Sequence, residues 1–477
     1  MASWALAAAW LAVSPAAGAD DGFRETPEAV QSIYRDGAPH TTRQGVVRLA
    51  YDAGESFFPI GVYNGLMDAG DGRDGFALYA SAGFNSVFPW RDQDFDAVMA
   101  AAHANGLQVV VRDPTDAELS RFADDPAVLG YDLDHEPTVH ARAETALWRL
   151  EAFRERRAAV RALDPRRPVF TVDAPGITPP NRNSWLAYAE AGDLICFWKY
   201  PFFNAPVRTM IGPRSLPEVT ALAAETARER KPVWYVAQAF HSPVNKWFMP
   251  DESQARAMIY AGLIHGATGI VWFTHDSYAS RNGRIIGASP DPKADYGITR
   301  REGARDPSPP LRATVRELAE SRRMWASIER LNAELAALAP AILSPTSARE
   351  YHVAVRGRSA SSVPIRALLK EGPEGPVLLV INVDANPVEA RFTFDGSLAL
   401  PSTDRSPHWN PSSAWRPRPP WLGTAGRSGS RPGACGSIAC AIARSRVAVD
   451  ALRVPGMIPA VVRAGLIGVS GPLWRNW

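Results

Sequence analysis

The chain has 477 residues, 46% of them hydrophobic and 21% charged, a composition typical of a soluble globular protein with one large domain and a smaller one. The formal net charge is +2, but residues 401–477 hold ten Arg, no Lys and two Asp and so carry +8, which leaves −6 on the first 400 residues. This mildly acidic body offers no basic face for nucleic acid, and the three cysteines give neither a disulfide framework nor the spacing of metal ligands.

An apolar run, Trp4–Val13, is followed by Ala17–Ala19, which has the small-x-small pattern of a signal-peptidase site. The run is too short to span a membrane. Residues 1–19 are therefore predicted to be an export signal cleaved near Ala19, which makes the mature chain secreted or periplasmic. No Lys or Arg precedes the run, and a start codon further upstream would explain that. Residues 20–56 lead into the first repeated element.

From residue 57 onward, short apolar runs typical of strands alternate with stretches of helical spacing. Eight strands are predicted, at Phe57–Tyr63, Phe84–Trp90, Leu107–Arg112, Val128–Glu136, Val169–Asp173, Leu194–Tyr200, Val233–Phe240 and Gly269–Thr274. Eight strand-helix repeats over residues 57–340 predict an α/β fold in which a parallel sheet closes into a (β/α)8 TIM barrel. An open doubly wound sheet is the alternative, but it lacks the Gly-x-Gly-x-x-Gly fingerprint after its first strand.

Helical spacing is clearest in three places. Phe95–Ala104 ends before Gly106, and Asp251–His265 starts with a capping box of Asp251 and Gln254. The last helix of the barrel carries one apolar stripe, formed by Leu311, Val315, Leu318, Trp325, Ile328, Leu331, Leu335 and Leu338. Two long loops, 202–216 and 275–310, follow strands six and eight and are expected to shape a cleft at the C-terminal ends of the strands.

Beyond residue 340 the pattern changes to alternating strands. Those at Tyr351–Val355, Val363–Leu369, Val377–Val383 and Val388–Phe394, with a turn at Asp384–Pro387, predict a small antiparallel β-sandwich over residues 341–400 that is incomplete. Residues 401–477 contain ten Pro and ten Arg, a bias that opposes regular packing. They are interpreted as a frameshifted segment or a disordered tail.

The fourth predicted strand ends in a cluster of acids, at the barrel face where active sites of this fold gather. Asp132, Asp134 and Glu136 alternate, so in a regular strand they would share one face, and the least solvated carboxyl would have a raised pKa. A carboxyl that stays protonated near neutral pH can act as a general acid. Asp132 and Asp134 are interpreted as a structural pair bonded to Arg112 or Lys199. Glu136 is the candidate acid, with a solvated loop acid as its alternative.

Six motifs mark predicted strands one to four, seven and eight. They are Phe57-Phe-Pro-Ile-Gly-Val-Tyr63, Ala82-Gly-Phe-Asn-Ser-Val87, Leu107-Gln-Val-Val-Val111, Leu129 to Pro137, Lys231-Pro-Val-Trp234 and Gly266-Ala-Thr-Gly-Ile-Val-Trp272. In this order they resemble the clan A glycoside hydrolases over residues 50–340. The resemblance implies a barrel that cleaves O-glycosidic bonds, with an acid/base glutamate closing strand four inside Asn-Glu-Pro. Here the matching residues are His135-Glu136-Pro137, so Glu136 takes the acid/base place and His135 replaces the asparagine that contacts a substrate hydroxyl.

The resemblance places the nucleophilic glutamate at the end of strand seven, where this chain has Gln238. An amide cannot form a glycosyl-enzyme ester. Three alternatives follow. Another acid, with Asp276 preferred to Asp173, could act as the base for water in an inverting reaction. Otherwise a group of the substrate acts as the nucleophile, or the barrel binds sugar without cleaving it. Asp173 lies in a Val-Asp-Ala-Pro context that could equally be a turn cap.

Aromatic and polar residues at the strand ends are candidates for binding a sugar, since aromatic rings can stack on its C–H face and charged groups can bind its hydroxyls. The predicted set is His135, Tyr200, Gln238, Trp90, Arg112, Trp198, Trp272 and Tyr63, with Arg91, Lys199, His241 and His275 nearby. For each of the tryptophans, packing in the barrel core is an equally good interpretation.

Other chemistries find less support. The hydrolase motif Gly-x-Ser-x-Gly and the zinc motif His-Glu-x-x-His are both absent. A metal site formed by His135, Glu136 and His140 is the weakest of the hypotheses considered. No cofactor is expected, because glycoside hydrolysis of this type needs two carboxyl groups and water. The sequence thus predicts an exported glycoside hydrolase-like protein with a carbohydrate substrate. The alternative is a carbohydrate-binding protein on the same barrel.

Overall fold

The computed structural model describes residues 23–25, 34–67, 74–90, 93–139, 142–176, 179–204, 210–212, 214–243, 246–280, 283–292, 295–296, 311–356, 365–383, 386, 388–394, 447–454 and 459–463. The predicted export signal, residues 1–19, lies outside this set, as does most of the predicted turn at 384–387. Within the described residues, no helix is both long and apolar enough to cross a membrane.

Eight parallel strands form a closed barrel, which confirms the predicted fold. They are β1 Ile60–Gly65, β2 Ser86–Pro89, β3 Gln108–Arg112, β4 Val128–Asp132, β5 Val169–Asp173, β6 Ile195–Trp198, β7 Val233–Gln238 and β8 Gly269–Phe273. Each strand pairs with its neighbour in sequence. β5 consists of two short pieces on either side of Thr171, the first paired with β4 and the second with β6. β8 returns to β1 and closes the ring.

In the part of the chain that the structure describes, eight helices surround the barrel. They are α1 Gly75–Ser81, α2 Phe95–Asn105, α3 Asp116–Phe122, α4 Ala143–Leu163, α5 Pro179–Ala191, α6 Leu216–Ala227, α7 Glu252–Ile264 and α8 Val315–Leu343. The capping box of Asp251 and Gln254 begins α7, as predicted, and Gly106 ends α2 in a left-handed conformation. The predicted stripe of α8 is buried from Trp325 onward, but Val315 is 85% exposed.

Strand residues alternate between the barrel interior and the helix layer. The interior cluster includes Tyr63, Phe88, Trp234, Val236 and the free thiol Cys196, which is plain core as predicted. Their sequence neighbours face the helices and join the larger cluster there. Because the interior is filled by side chains, only residues at the C-terminal strand ends can meet a ligand.

A β-sandwich follows α8. One sheet contains Phe23–Glu25 with β9 Tyr351–Arg356, β12 Val388–Phe394 and β13 Val447–Val454, and the other contains β10 Ile365–Gly372, β11 Gly375–Asn382 and β14 Pro459–Arg463. All pairs are antiparallel. Strands β13 and β14 belong to the segment interpreted as a tail, so the sandwich draws on the chain beyond residue 400. The rest of that segment, 401–446 and 464–477, lies outside the described residues.

Short strands complete the molecule. They are His40–Thr42, Val47–Arg48 and Ser56–Phe57 before the barrel, Phe240–His241, Tyr278–Ser280 and Gly283–Gly287 at its mouth, and the pair Asp295–Tyr296 and Leu311–Arg312. The three at the mouth form one small antiparallel sheet.

A buried lysine lies where the sandwich meets the barrel. Lys370 on β10 is 1% exposed, and its Nζ donates to the Thr346 hydroxyl at 3.4 Å and lies 5.5 Å from the ring of Tyr34, whose hydroxyl bonds to the barrel at Gly266. Burial lowers the pKa of Lys370 to about 7.

The buried amine makes stability depend on pH. Between about pH 7 and about pH 10 the unfolded chain holds a proton that the folded chain has lost, so stability should rise by up to about 1.4 kcal/mol per pH unit. We expect Lys370→Met to remove this rise in urea titrations, and Lys246→Met, at an exposed site, to retain it. Equal pH slopes in wild type and Lys370→Met would contradict the expectation.

Candidate active site

The acids after β4 point in different directions, which corrects the prediction that they share one face. The strand ends at Asp132, and Asp134 and Glu136 then take left-handed conformations with φ of 53° and 51°. Such angles are uncommon outside glycine and break the two-residue alternation of a strand. The turn therefore separates the three carboxylates. Asp132 is buried, Asp134 points outward to the helix layer, and Glu136 lies at the mouth of the barrel.

Asp134 anchors the turn after β4 to the helix layer. Its carboxylate pairs with Arg149 of α4 and accepts the Tyr188 hydroxyl of α5 at 3.2 Å, while its carbonyl accepts the Thr171 hydroxyl at 2.9 Å. The predicted partners, Arg112 and Lys199, are therefore wrong for this residue. These contacts hold the strained turn against the helix layer, so Asp134 supports the site without facing it.

Asp132 is buried inside the barrel at 1% exposure. Its Oδ2 lies 3.4 Å from Arg112 Nε, which confirms the predicted pairing, and its Oδ1 accepts the Val172 N–H at 3.1 Å. Burial raises the pKa of Asp132 to about 7, although the Arg112 charge opposes the rise. Asp132 therefore exchanges its proton near neutral pH.

Tyr63 joins Asp132 to the mouth. Its hydroxyl donates to Asp132 Oδ2 at 3.3 Å and lies 3.0 Å from His135 Nδ1. The Arg112 guanidinium lies 4.8 Å from the centre of the Tyr63 ring, and the His135 ring stacks on the Tyr63 ring with centroids 5.9 Å apart. Packing thus leaves Tyr63 and His135 one relative orientation.

Glu136 lies at the mouth with 18% of its side chain exposed, and its Oε1 is 3.8 Å from His135 Nε2. Its charge acts on Tyr63 and Tyr200, raising the pKa of both phenols in addition to the larger effect of burial. Its backbone N–H donates to Val172 O at 3.0 Å. Glu136 therefore lies beside the His135 imidazole just after β4, and its charge acts on two phenols.

Asp173 holds the loop that carries Glu136. Its carboxylate accepts the backbone N–H groups of Thr138 at 3.1 Å and Ala174 at 2.9 Å. Burial raises the pKa of Asp173 to about 7, and the nearby Glu136 charge adds to the rise. Both oxygens are used by the main chain, an arrangement that favours the turn-cap interpretation over a catalytic one.

Gln238 occupies the inward-facing place at the end of β7, with the same strand parity as Trp234 and Val236. Its Oε1 accepts the Phe202 N–H at 3.1 Å and its Nε2 donates to Phe248 O at 2.8 Å. The residue is 0% exposed. The two loops thus cover the amide, and the contact of Gln238 with substrate stays a prediction.

Asp276 follows β8. It accepts the indole N–H of Trp90 at 3.2 Å, and its own N–H donates to the Thr274 hydroxyl at 3.3 Å, which in turn donates to Tyr63 O. The residue is 6% exposed. Trp90 also packs edge-on against Tyr278. Trp90 and Asp276 thus form one side of the mouth, linked to β1.

An aromatic wall forms the side of the mouth near β6. Tyr200 stacks on Trp198 at 4.7 Å and 15°, and on Phe273 at 5.8 Å and 21°. Trp247 and Phe240 meet Tyr200 edge-on. The strand pattern located Tyr200 and Trp198, whereas it missed Trp247, which lies in a loop without strand register.

Three predicted site residues face elsewhere. Trp272 donates its indole N–H to Asn332 of α8 at 2.9 Å and is 1% exposed, which supports the core interpretation, while its substrate contact stays a prediction. His275 packs edge-on against Tyr79 and Trp325, and His241 lies 3.5 Å from Glu317. Lys199 is half-buried with a lowered pKa, and Arg91 lies outside the described residues.

In the described part of the chain, no group of three His, Cys, Asp or Glu could hold a metal ion. His140, the third proposed ligand, lies outside that part.

A cleft of about 970 Å³ lies at the opposite end of the barrel, among residues that precede β5, β6 and β7. Its arginines include Arg157 and Arg161, which pair with Asp193, while Lys231 donates to three carbonyls at the end of α5. These cations hold the N-terminal face together.

Three solved glycosidase structures are similar to parts of this chain. An endo-β-1,4-mannanase from Thermotoga petrophila is 13% identical with a TM-score of 0.37, over 72% of this chain and 95% of that one. A Faecalibacterium prausnitzii β-glucuronidase is 16% identical with a TM-score of 0.37, over 63% and 52%. A β-galactosidase from the Antarctic haloarchaeon Halorubrum lacusprofundi is 15% identical with a TM-score of 0.39, over 57% and 56%.

The identities of these three matches to the chain are 13%, 16% and 15%. No protein-family model matches the sequence, and no curated protein matches it.

Proposed function

We propose that this protein hydrolyses O-glycosidic bonds of an oligo- or polysaccharide, with Glu136 as general acid. The observation that carries the proposal is the position of Glu136, partly exposed at the end of β4 and beside Tyr63, Tyr200 and His135. A general acid at this position would give its proton to the leaving oxygen, and a protonated carboxyl is what a leaving alkoxide needs.

The second carboxylate in this proposal is Asp276, acting as base for water. In a ring of eight strands β8 stands opposite β4, which supports a base on the side of the mouth that faces Glu136. Asp173, on the adjacent β5, is held by the main chain. Since Gln238 cannot form an ester, the proposed reaction inverts the anomeric configuration, for which carboxyl groups stand about 6.5–9.5 Å apart.

A second candidate function is carbohydrate binding without hydrolysis. Gln238 favours it, because the inward-facing place at the end of β7 has no carboxylate and is covered by main chain. The stacked wall of Trp198, Tyr200 and Phe273 could then bind a sugar ring by itself.

The test is hydrolysis of aryl glycosides and polysaccharides by the full chain, with NMR of the first-formed product anomer. We expect turnover with inversion, and a loss of about 10²–10⁴-fold in kcat for Asp276→Asn. The control is Asp124→Asn, at a fully exposed site, which should leave kcat unchanged. Sugar binding with no turnover of any substrate would replace the proposal with the binding function, and a retained anomer would exclude Asp276 as the base.

A further inference from the structure

Four polar side chains form a continuous line from the barrel interior to the mouth. Asp132 Oδ2 is 3.3 Å from the Tyr63 hydroxyl, which is 3.0 Å from His135 Nδ1. On the other edge of the same imidazole, Nε2 is 3.8 Å from Glu136 Oε1. The first two residues are buried at 1% and 2% exposure, whereas 28% and 18% of the two outer side chains are exposed.

The hydroxyl of Tyr63 is the critical member, because it has one proton and lies between two groups that can each accept it. When it donates to Asp132, His135 must donate from Nδ1, and its Nε2 lone pair faces Glu136. When Asp132 is protonated and donates to Tyr63, the hydroxyl donates to Nδ1, and Nε2 carries the proton toward Glu136. The tautomer of His135 therefore follows the protonation of Asp132.

We propose that Asp132, Tyr63 and His135 form a proton-storage chain that supplies Glu136, so that the buried carboxyl keeps the acid at the mouth protonated. This inference rests on the proposed function of Glu136. Tyr63 and His135 are positioning residues, and Asp132 is the store.

The transfer balances in protons and charge. Asp132 gives its proton to the Tyr63 oxygen, Tyr63 gives its own to His135 Nδ1, and His135 gives the Nε2 proton to Glu136. One carboxylate is lost at Glu136 and one appears at Asp132, so the net charge of the chain stays the same. The last step requires Glu136 to move closer, since 3.8 Å exceeds a hydrogen bond and such contacts often tighten only when substrate binds.

The surroundings of Asp132 suit a store that fills near neutral pH. Arg112 from β3 and the Val172 N–H from β5 stabilise the carboxylate, while burial and the Asp113 charge favour the protonated form. Cys196 of β6 also lies near, and Asp132 raises the pKa of its thiol. These opposing influences leave the pKa of Asp132 at about 7.

The first test needs no activity. In ¹⁵N-histidine-labelled protein, the His135 signals, identified by their absence in His135→Gln, should change from the Nε2–H to the Nδ1–H tautomer as pH rises through about 7. Tyr63→Phe should abolish the change, whereas Tyr131→Phe, which removes a comparable buried bond to Asp164, should preserve it. A tautomer that ignores pH in the wild type would overturn the inference, even if the protein is a glycosidase.

The second test is kinetic. Tyr63→Phe and Asp132→Asn should each lower the basic pKa of the kcat/KM profile by about one unit, and the double variant should lower it no further. If Tyr63 and Asp132 had a purely structural role, their substitution would reduce kcat at every pH without shifting the basic limb of the kcat/KM profile. An unmoved limb would therefore overturn the inference, while loss of turnover in the wild type would overturn the proposed function and leave the NMR test standing.

Discussion

Glu136→Gln is expected to lower kcat/KM by about 10²–10⁴-fold on substrates with sugar leaving groups, while sugar binding persists. The side chain lies at the mouth between the His135 imidazole and two phenols. Glutamine has the same shape but no proton of suitable acidity, so the leaving oxygen would depart as an unprotonated alkoxide.

The dependence on leaving group separates this role from a structural one. Aryl glycosides whose phenols are acidic need little protonation, so Glu136→Gln should retain much more activity on nitrophenyl glycosides than on disaccharides. The basic limb of the pH profile should also disappear in this variant. Glu155→Gln, the same substitution at an exposed position of α4, is the matched control. An equal loss on all leaving groups would instead indicate damage to the mouth as a whole.

Gln238→Glu is expected to destabilise the fold by about 3 kcal/mol, although it restores the residue type of a nucleophile. The amide is fully buried, donates to Phe248 O at 2.8 Å and accepts from Phe202 N–H at 3.1 Å. A carboxylate can only accept, so one oxygen would face the Phe248 carbonyl without a proton between them. Glutamine is required here because it both donates and accepts.

The burial of position 238 determines how the stability of Gln238→Glu changes with pH. The introduced carboxyl would have a raised pKa in the folded state, so the destabilisation should be small near pH 4, where the carboxyl is protonated and can donate, and should grow as pH rises. Urea unfolding at several pH values measures this, with Gln44→Glu, at an exposed turn, as control. A stable variant that gains a retaining activity would show that the covering loops move aside.

The barrel fold could be predicted from the sequence because the patterns that specify its strands and helices are local. Eight apolar runs, the capping box at Asp251 and the left-handed Gly106 each specify an element within a few residues, and regular alternation then closes the ring. The pairing of Asp132 with Arg112 follows from the same strand register, and the turn that carries Glu136 comes directly after β4.

Tertiary contacts determine the conformation and side-chain directions of the residues that follow the strand ends. The turn that sends Asp134 toward Arg149 and Tyr188 depends on two helices more than ten residues away in sequence, and the burial of Gln238 depends on main-chain groups of two loops. Trp272 likewise faces Asn332 of α8. Sequence by itself located the strand ends that form the mouth of this barrel, whereas side-chain direction there depends on partners distant in sequence, which no local pattern encodes.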